Sequence, residues 1–236
     1  LLSLKLPLPK TIFAHGWWLV GETKMSKSLG NVINPLDLID QYGVEPVRYY
    51  LMREMVLGQD AQFTLESFIK RFNSDLANDF GNLLNRVSGL VGKYFDGCIP
   101  DQSHLMQADL DIRKQAMALE EKVRDYVNHF HINEAIEEIL ELVRATNKYV
   151  EHQAPWKVAK ESLNSAGRIL YTAMEALRIS AVLLSPVMPQ KTHIVLDVLG
   201  AVGSTPKWGE LKINTKLKTH EALFPRLEVK SNEKGT

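Results

Sequence analysis

Cysteine is nearly missing from this sequence: Cys98 is the only one in 236 residues. One thiol closes no internal disulfide and builds no cysteine-type zinc centre. A charge excess of either sign is missing too, since 28 basic residues stand against 28 acidic ones. No overall field then draws the chain to nucleic acid, so any such site must be a local patch. Long apolar runs are also lacking. The longest, Ile179 to Met188, is interrupted by Ser180, Ser185 and Pro186 and falls short of the roughly 20 residues a membrane span needs. No signal or transit pattern is read at the start, and a soluble, reducing-compartment chain is expected. There is no initiator Met. Instead, Leu1-Leu2-Ser3-Leu4 and Thr11-Ile12-Phe13-Ala14 read as buried, strand-like segments in need of neighbours. They suggest a chain that begins inside a domain whose larger part lies elsewhere. No repeat is seen, the histidines show no metal-like spacing, and no Ser-His-Asp or paired-carboxylate arrangement can be argued.

What is present begins at Lys24-Met25-Ser26-Lys27-Ser28, between Gly21 and Gly30. Two ammonium groups and two hydroxyls in five residues suit phosphate oxygens. Most Lys/Ser stretches are solvated surface loops. This exact order, however, recurs by chance on the order of once in 10⁴ chains of this size. Lys5 and Lys10 add to the basic patch, against Glu22 alone.

Around that loop the local code is readable. Trp17-Trp18-Leu19-Val20 reads as a strand, and Gly21-Glu22 suits a type II′ hairpin turn. Asn34 is a helix N-cap with Pro35 at the first helical position and Asp37 in the first turn. That helix stops at Gly43, another starts at Glu45-Pro46, and Asp60 to Thr64 reads as extended. From Leu65 onward the apolar period is helical. Leu76, Phe80, Leu83, Val87, Leu90, Val91 and Tyr94 share one face. Ile112, Ala116, Leu119, Val123, Tyr126, Val127 and Phe130 share a second, and Asn133 reads as the cap of a third helix. Ala166 to Leu184 is apolar almost all round, as a central helix should be. Met188-Pro189 opens a last helix that ends at Gly200. The segment 201–236 is polar and basic-leaning and reads as an extended tail with a disordered end. A bundle of about five helices is expected over 65–200.

Two constellations stand out in the bundle. Asn82 and Arg86 lie at i and i+4, roughly 120° from the centre of the apolar stripe. They are flank residues, and an amide with a guanidinium can read an unstacked base or hold its phosphate; taken alone, they read more simply as an ordinary polar face that also carries Asp75, Asn78 and Lys93. Ala154-Pro155-Trp156 breaks the helical pattern, and Pro155 biases Ala154 to extended geometry. Trp156 suits a plug of the bundle or a stacking platform for a splayed base. His15-Gly16 near the loop reads as structural.

The pentapeptide resembles the second signature of class I aminoacyl-tRNA synthetases, a loop that closes on the triphosphate of ATP. With Gly30-Asn31-Val32-Ile33-Asn34-Pro35, Tyr42-Gly43-Val44-Glu45, Asn82-Leu83-Leu84-Asn85-Arg86, Pro155-Trp156 and Leu223-Phe224-Pro225-Arg226 in order, residues 1 to 227 resemble the C-terminal half of the methionyl-tRNA synthetase family. The resemblance implies a mainly α fold: an anticodon-binding helical bundle, preceded by a small α/β connector and the C-terminal edge of a Rossmann-type catalytic domain. The corresponding spans are 1–23 for the Rossmann remnant, 24–64 for the loop and stem-contact connector, 65–200 for the bundle and 201–236 for the tail. It implies ATP contacts by Lys24, Met25, Ser26, Lys27 and Ser28, with Lys27 and Lys24 stabilising the transition state, and anticodon contacts by Asn82, Arg86, Pro155 and Trp156. The implied substrates and partners are methionine, ATP with Mg²⁺, tRNA(Met) and an N-terminal Rossmann half in the same or another chain, with no membrane and no metal held by this chain. A cytoplasmic location is expected, with the mitochondrial matrix or a plastid as alternatives. A non-catalytic tRNA-binding module and another class I synthetase are the rival readings.

Overall fold

The computed structural model describes residues 2–20, 23–24, 33–102 and 104–228. A three-stranded sheet of β1 (Trp18–Val20), β2 (Thr23–Lys24) and β3 (Ala61–Gln62) runs in the order β2-β1-β3. Val20 pairs antiparallel with Thr23, which leaves two residues for the hairpin connection; the turn residues Gly21 and Glu22 lie outside the described set. β1 and β3 are parallel, with Trp18 opposite Ala61. A parallel pair needs a crossover, supplied here by α1 (Pro35–Tyr42) and α2 (Val44–Glu54). Asn34 caps α1 as expected, its side chain accepting from the Leu36 amide at 3.1 Å. Gly43 ends the helix at φ +89°, a conformation that costs glycine little. Val47, Tyr50, Phe63, Phe68 and Ile69 bury a small core under the sheet, with Tyr50 edge-on to Phe63 and Phe68.

The bundle follows. α3 (Leu65–Arg71), a π-helical run (Phe72–Gly81) and α4 (Asn82–Tyr94) form one continuous rod. α5 (Gln107–Asn128), α6 (Ile132–Gln153), the single turn α7 (Pro155–Val158), α8 (Leu163–Leu184) and α9 (Pro189–Val198) complete it. α8 is buried along nearly its whole length at the centre, as its all-round apolarity requires. Among the described residues no helix is long and apolar enough to cross a membrane.

Two polar features fasten the connector to the bundle. Glu45 at the start of α2 accepts the Gln190 and Lys191 amides at 2.5 and 2.8 Å, capping an α9 whose own N-cap, Met188, offers no side-chain bond. Arg48 donates to the Pro186 and Val187 carbonyls just upstream. The second feature centres on Asp75, 2% exposed. It accepts from Tyr49 at 2.8 Å and lies 3.6–3.9 Å from Arg53, Arg71 and Arg144. Burial and the facing Asp75 charge hold the Tyr49 phenol well above its ordinary pKa. α2, the rod and α6 are joined through this cluster.

Several expectations need correction. Leu2–Leu4 is a 3₁₀ turn rather than a strand, and Thr11 to Ala14 has no regular structure. Nor are the described apolar residues of these segments buried: Leu4 is 71% exposed, Ile12 88% and Phe13 45%. Val127 and Phe130 are also largely exposed, because α5 ends at Asn128 and Phe130 turns into a left-handed conformation at φ +63°. The residue preceding the third bundle helix is His131; Asn133 lies inside α6. Ala154 is not extended but left-handed, at φ +43° and ψ +59°. Residues 201–228 have almost no regular structure yet are firmly packed, with Leu211, Leu223 and Phe224 buried. They are held by the buried Glu175–Arg178 pair. Glu175 accepts the Leu211 amide at 2.6 Å, and Arg178 donates to the Thr205 carbonyl at 2.6 Å. The expected disordered end falls on 229–236, outside the described residues.

Candidate nucleic-acid interface

α6 delivers its C-terminal end to α4, and that meeting builds the site. Ala154 stops α6 because a left-handed residue cannot continue a right-handed helix. Pro155 then occupies the first position of α7, where its missing amide costs nothing. The Lys157 amide donates back to the Ala154 carbonyl at 2.8 Å, and the Tyr94 hydroxyl donates to the Trp156 carbonyl at 3.4 Å. Pro155 is buried and Trp156 half-buried. The indole is therefore fixed at its base and open at its outer side.

Arg86 on α4 lies over that indole, its guanidinium carbon 5.0 Å from the ring centroid. The same guanidinium pairs with Glu151, in the last turn of α6. A cation over an indole face contributes about 0.5–1 kcal/mol at an exposed site. Asn82, one turn earlier, is exposed, and its side chain makes no hydrogen bond among the described residues. So the sequence's Asn-x-x-x-Arg and Pro-Trp elements, about 70 residues apart in the chain, meet on one surface. An aromatic face, a planar cation and a free amide can stack a splayed base and bond its edge. Sequence reasoning missed Glu151, which is an ordinary polar helix position until α4 is placed beside it.

The lysine loop is reached only at its edge. Lys24 is the last residue of β2, paired with Leu19; Met25, Ser26, Lys27 and Ser28 lie outside the described residues. His15 is exposed, its ring Nδ1–H donating to the Gly16 carbonyl at 2.7 Å. Among the described residues no group of three or more His, Cys, Asp or Glu is arranged to hold a metal ion.

Comparison with known proteins gives the class first. Residues 1–88 match the family described as tRNA synthetases class I (M), so the first third of the chain is of the class I aminoacyl-tRNA synthetase type. Residues 99–227, more than half the chain, match the anticodon binding domain of methionyl tRNA ligase. The chain belongs to the methionyl-tRNA ligase family. The methionine–tRNA ligase of Caldanaerobacter subterraneus subsp. tengcongensis is 42% identical over 236 residues, covering 97% of this chain and 37% of that protein. That of Bacillus subtilis is 42% identical over 243 residues, with coverages of 97% and 36%. The free-state crystal structure of Mycobacterium tuberculosis methionyl-tRNA synthetase superposes with a TM-score of 0.84 at 33% identity, over 97% of this chain and 46% of that one. The same enzyme bound by methionyl-adenylate gives 0.86 at 37% identity, over 95% and 46%. The chain thus spans a little over a third of the length of these curated relatives.

Proposed function

We propose that this chain supplies the triphosphate-closing loop and the anticodon-reading bundle of a methionine–tRNA ligase. The observation that carries the reading is the Arg86–Trp156 stack, which joins two distant motif elements into one surface fit for an unstacked base. The division into 1–23, 24–64, 65–200 and 201–236 belongs to the same proposal. So does the remaining catalytic half, for which the exposed Leu4, Leu6, Leu8, Ile12 and Trp17 offer an apolar seat.

In the reaction, a methionine carboxylate oxygen bonds to the α-phosphorus of ATP, and the bond to the β-phosphate oxygen breaks, releasing pyrophosphate. The terminal ribose hydroxyl of tRNA(Met) then attacks the activated carbonyl, and AMP leaves. Lys27, with Lys24, offsets charge on the triphosphate in the first step, while Ser26 and Ser28 shape the loop or donate to phosphate oxygens with Met25 between them. Mg²⁺ enters as part of the nucleotide complex. Asn82, Arg86 and Trp156, the last set by Pro155, hold the anticodon far from this chemistry.

The test separates the two ends in a protein carrying this chain with its catalytic half. Trp156→Ala is expected to weaken tRNA binding by about 1–3 kcal/mol and to leave ATP–pyrophosphate exchange unchanged. Lys27→Ala is expected to depress that exchange and spare tRNA binding. Normal charging by Trp156→Ala, or normal exchange by Lys27→Ala, overturns the corresponding assignment.

A further inference from the structure

The tail contains a stretch whose charge the reading above leaves unused. Between Leu211 and His220 the chain carries Lys212, Lys216 and Lys218 and no acidic residue, in a protein whose charges balance overall. This stretch is not loose. Thr215 and Asn214 bond in both directions with Ile99 at 2.9 Å, Leu217 donates to the Gly97 carbonyl at 2.7 Å, and Lys218 donates to the Val198 carbonyl at 3.1 Å. The His220 Nε2 lies 2.9 Å from the Ser88 hydroxyl on α4. Four backbone bonds and one side-chain bond therefore hold the lysines at a fixed place beside α4.

Between that segment and α4 runs an open groove of about 650 Å³. Gly89 and Gly92 form its α4 wall, and nothing stands within 4 Å of where a Cβ would lie at either. Lys216 and Lys218 line the opposite wall, and Asp96 is the lining carboxylate at one end. Lys218 is paired with Asp197 at 2.7 Å, whereas Lys216 has no carboxylate partner among the described residues. Gly89 is three residues from Arg86, less than one helical turn along α4. The groove therefore lies within about one helical turn of Arg86 along α4.

We propose that this groove is a second RNA contact, holding backbone phosphates of the helical stem that continues from the loop seated on Arg86 and Trp156. The inference rests on the tRNA reading and extends it from bases to backbone. An ammonium without a carboxylate partner, on an anchored backbone, suits a phosphate as a point charge, and a wall without side chains lets a sugar–phosphate strand come close. Contacts of this kind position the RNA without reading its sequence. That property distinguishes the groove from the Arg86–Trp156 surface.

The experiment measures tRNA affinity against salt for the protein carrying this chain, with the cognate tRNA and with one altered only in the anticodon. Loss of one phosphate contact removes about one counterion from the release term, so Lys216→Ala should lose about 3–8-fold at 0.1 M salt and lower the salt slope by about 0.7–0.9. The loss should be the same for both tRNAs. Gly92→Glu places a carboxylate in the groove within the last turn of α4, where the helix propensity gained on removing a glycine offsets the cost of an acid near a helix C-terminus. It should therefore melt within about 2 °C of the parent yet bind tRNA more weakly, which excludes misfolding as the cause. Parent-like affinity and slope in both variants, with Trp156→Ala still weakened, would overturn the groove and leave the anticodon reading intact. Parent-like binding by Trp156→Ala would overturn the underlying reading itself.

Discussion

Removing the Glu45 carboxylate should loosen the joint between the connector and the bundle, and the size of the effect can be worked out. Glu45 is 7% exposed and belongs to α2, while the two amides it accepts belong to the first turn of α9, 145 and 146 positions away. Those amides have no partner inside their own helix, and Met188 offers no side-chain substitute. A capping side chain is usually worth about 0.5–2 kcal/mol. A charged acceptor taking two bonds at low exposure belongs at the upper end, since charge-assisted bonds are roughly twice as strong as neutral ones. Glu45→Ala should then cost about 2–3 kcal/mol, with water recovering part of the loss. At about 2.1 cal/mol/K per residue, the unfolding entropy of a chain this long converts that to a fall of about 4–6 °C in Tm. Glu45→Gln retains one acceptor oxygen and should cost about half as much. Arg48 grips the same turn from the same helix, at the Pro186 and Val187 carbonyls. Glu45→Ala and Arg48→Ala should therefore be non-additive, the second change losing less once the first has freed the turn. Thermal melts of the two single variants and the double variant decide this. A Glu45→Ala melt within 1 °C of the parent, or strict additivity, would show that the joint is held by apolar packing and that the polar clamp contributes nothing.

Three further outcomes follow from the packing. Gly16→Ala sets a Cβ 1.9 Å from the Gln59 carbonyl oxygen, so β1 and β3 must part; a loss of about 1–3 kcal/mol is expected, read by thermal melt. Asp109 is fully buried and accepts from the Met106 amide at 2.6 Å, from Tyr149 and from Arg168. Asp109→Asn strands the buried Arg168 and should cost about 3–5 kcal/mol in denaturant melts, while Asp109→Asn with Arg168→Met should cost less than the two single losses combined. Burial, followed by the Glu175 charge, pushes the Tyr171 phenol up to about 12. The folded state then holds a proton that the unfolded chain releases near 10, so stability should fall as pH rises between those values. Alkaline melts of the parent and Tyr171→Phe, with tyrosinate absorbance as the second readout, check the sign.

Where local chemistry decides, the sequence was readable. Asn34-Pro35 is a complete start signal and caps α1 as expected; the apolar all-round run from Ala166 became the central helix α8. Asn82 and Arg86 were placed on a flank by angular counting alone, and they lie on one. What was not readable depends on partners distant in sequence. Glu45 looks like a first-turn acid of its own helix, and only the fold reveals that it caps another. The π-helical run before Asn82 carries no sequence signal; within it the Gly81 Cβ position lies 3.0 Å from the Leu76 carbonyl oxygen, five residues earlier, and 3.6 Å from Phe224. The tail read as loose because its polar residues outnumber its apolar anchors. Yet Leu211, Leu223 and Phe224 suffice once Glu175 and Arg178 satisfy its backbone from within the bundle.

The clearest conflict between local preference and fold lies at Ala154, and it explains why the candidate site has its shape. A residue before proline favours extended backbone, and alanine in the left-handed region costs about 1–2 kcal/mol. Both preferences are overridden at one position. An extended Ala154 would carry Trp156 away along the axis of α6. The left-handed turn instead folds Pro155 back into a buried position and starts α7 at once. Trp156 then arrives under Arg86, whose second partner, Glu151, sits one turn upstream on α6. The Arg86 guanidinium is restrained on two sides, by the indole face of α7 and by the Glu151 carboxylate of α6. A base stacking there, as proposed above, would meet a side chain that is already partly ordered. The strain at Ala154 thus sits beside the restraint on Arg86, and strained backbone of this kind clusters at functional sites, in keeping with the candidate role proposed for this surface.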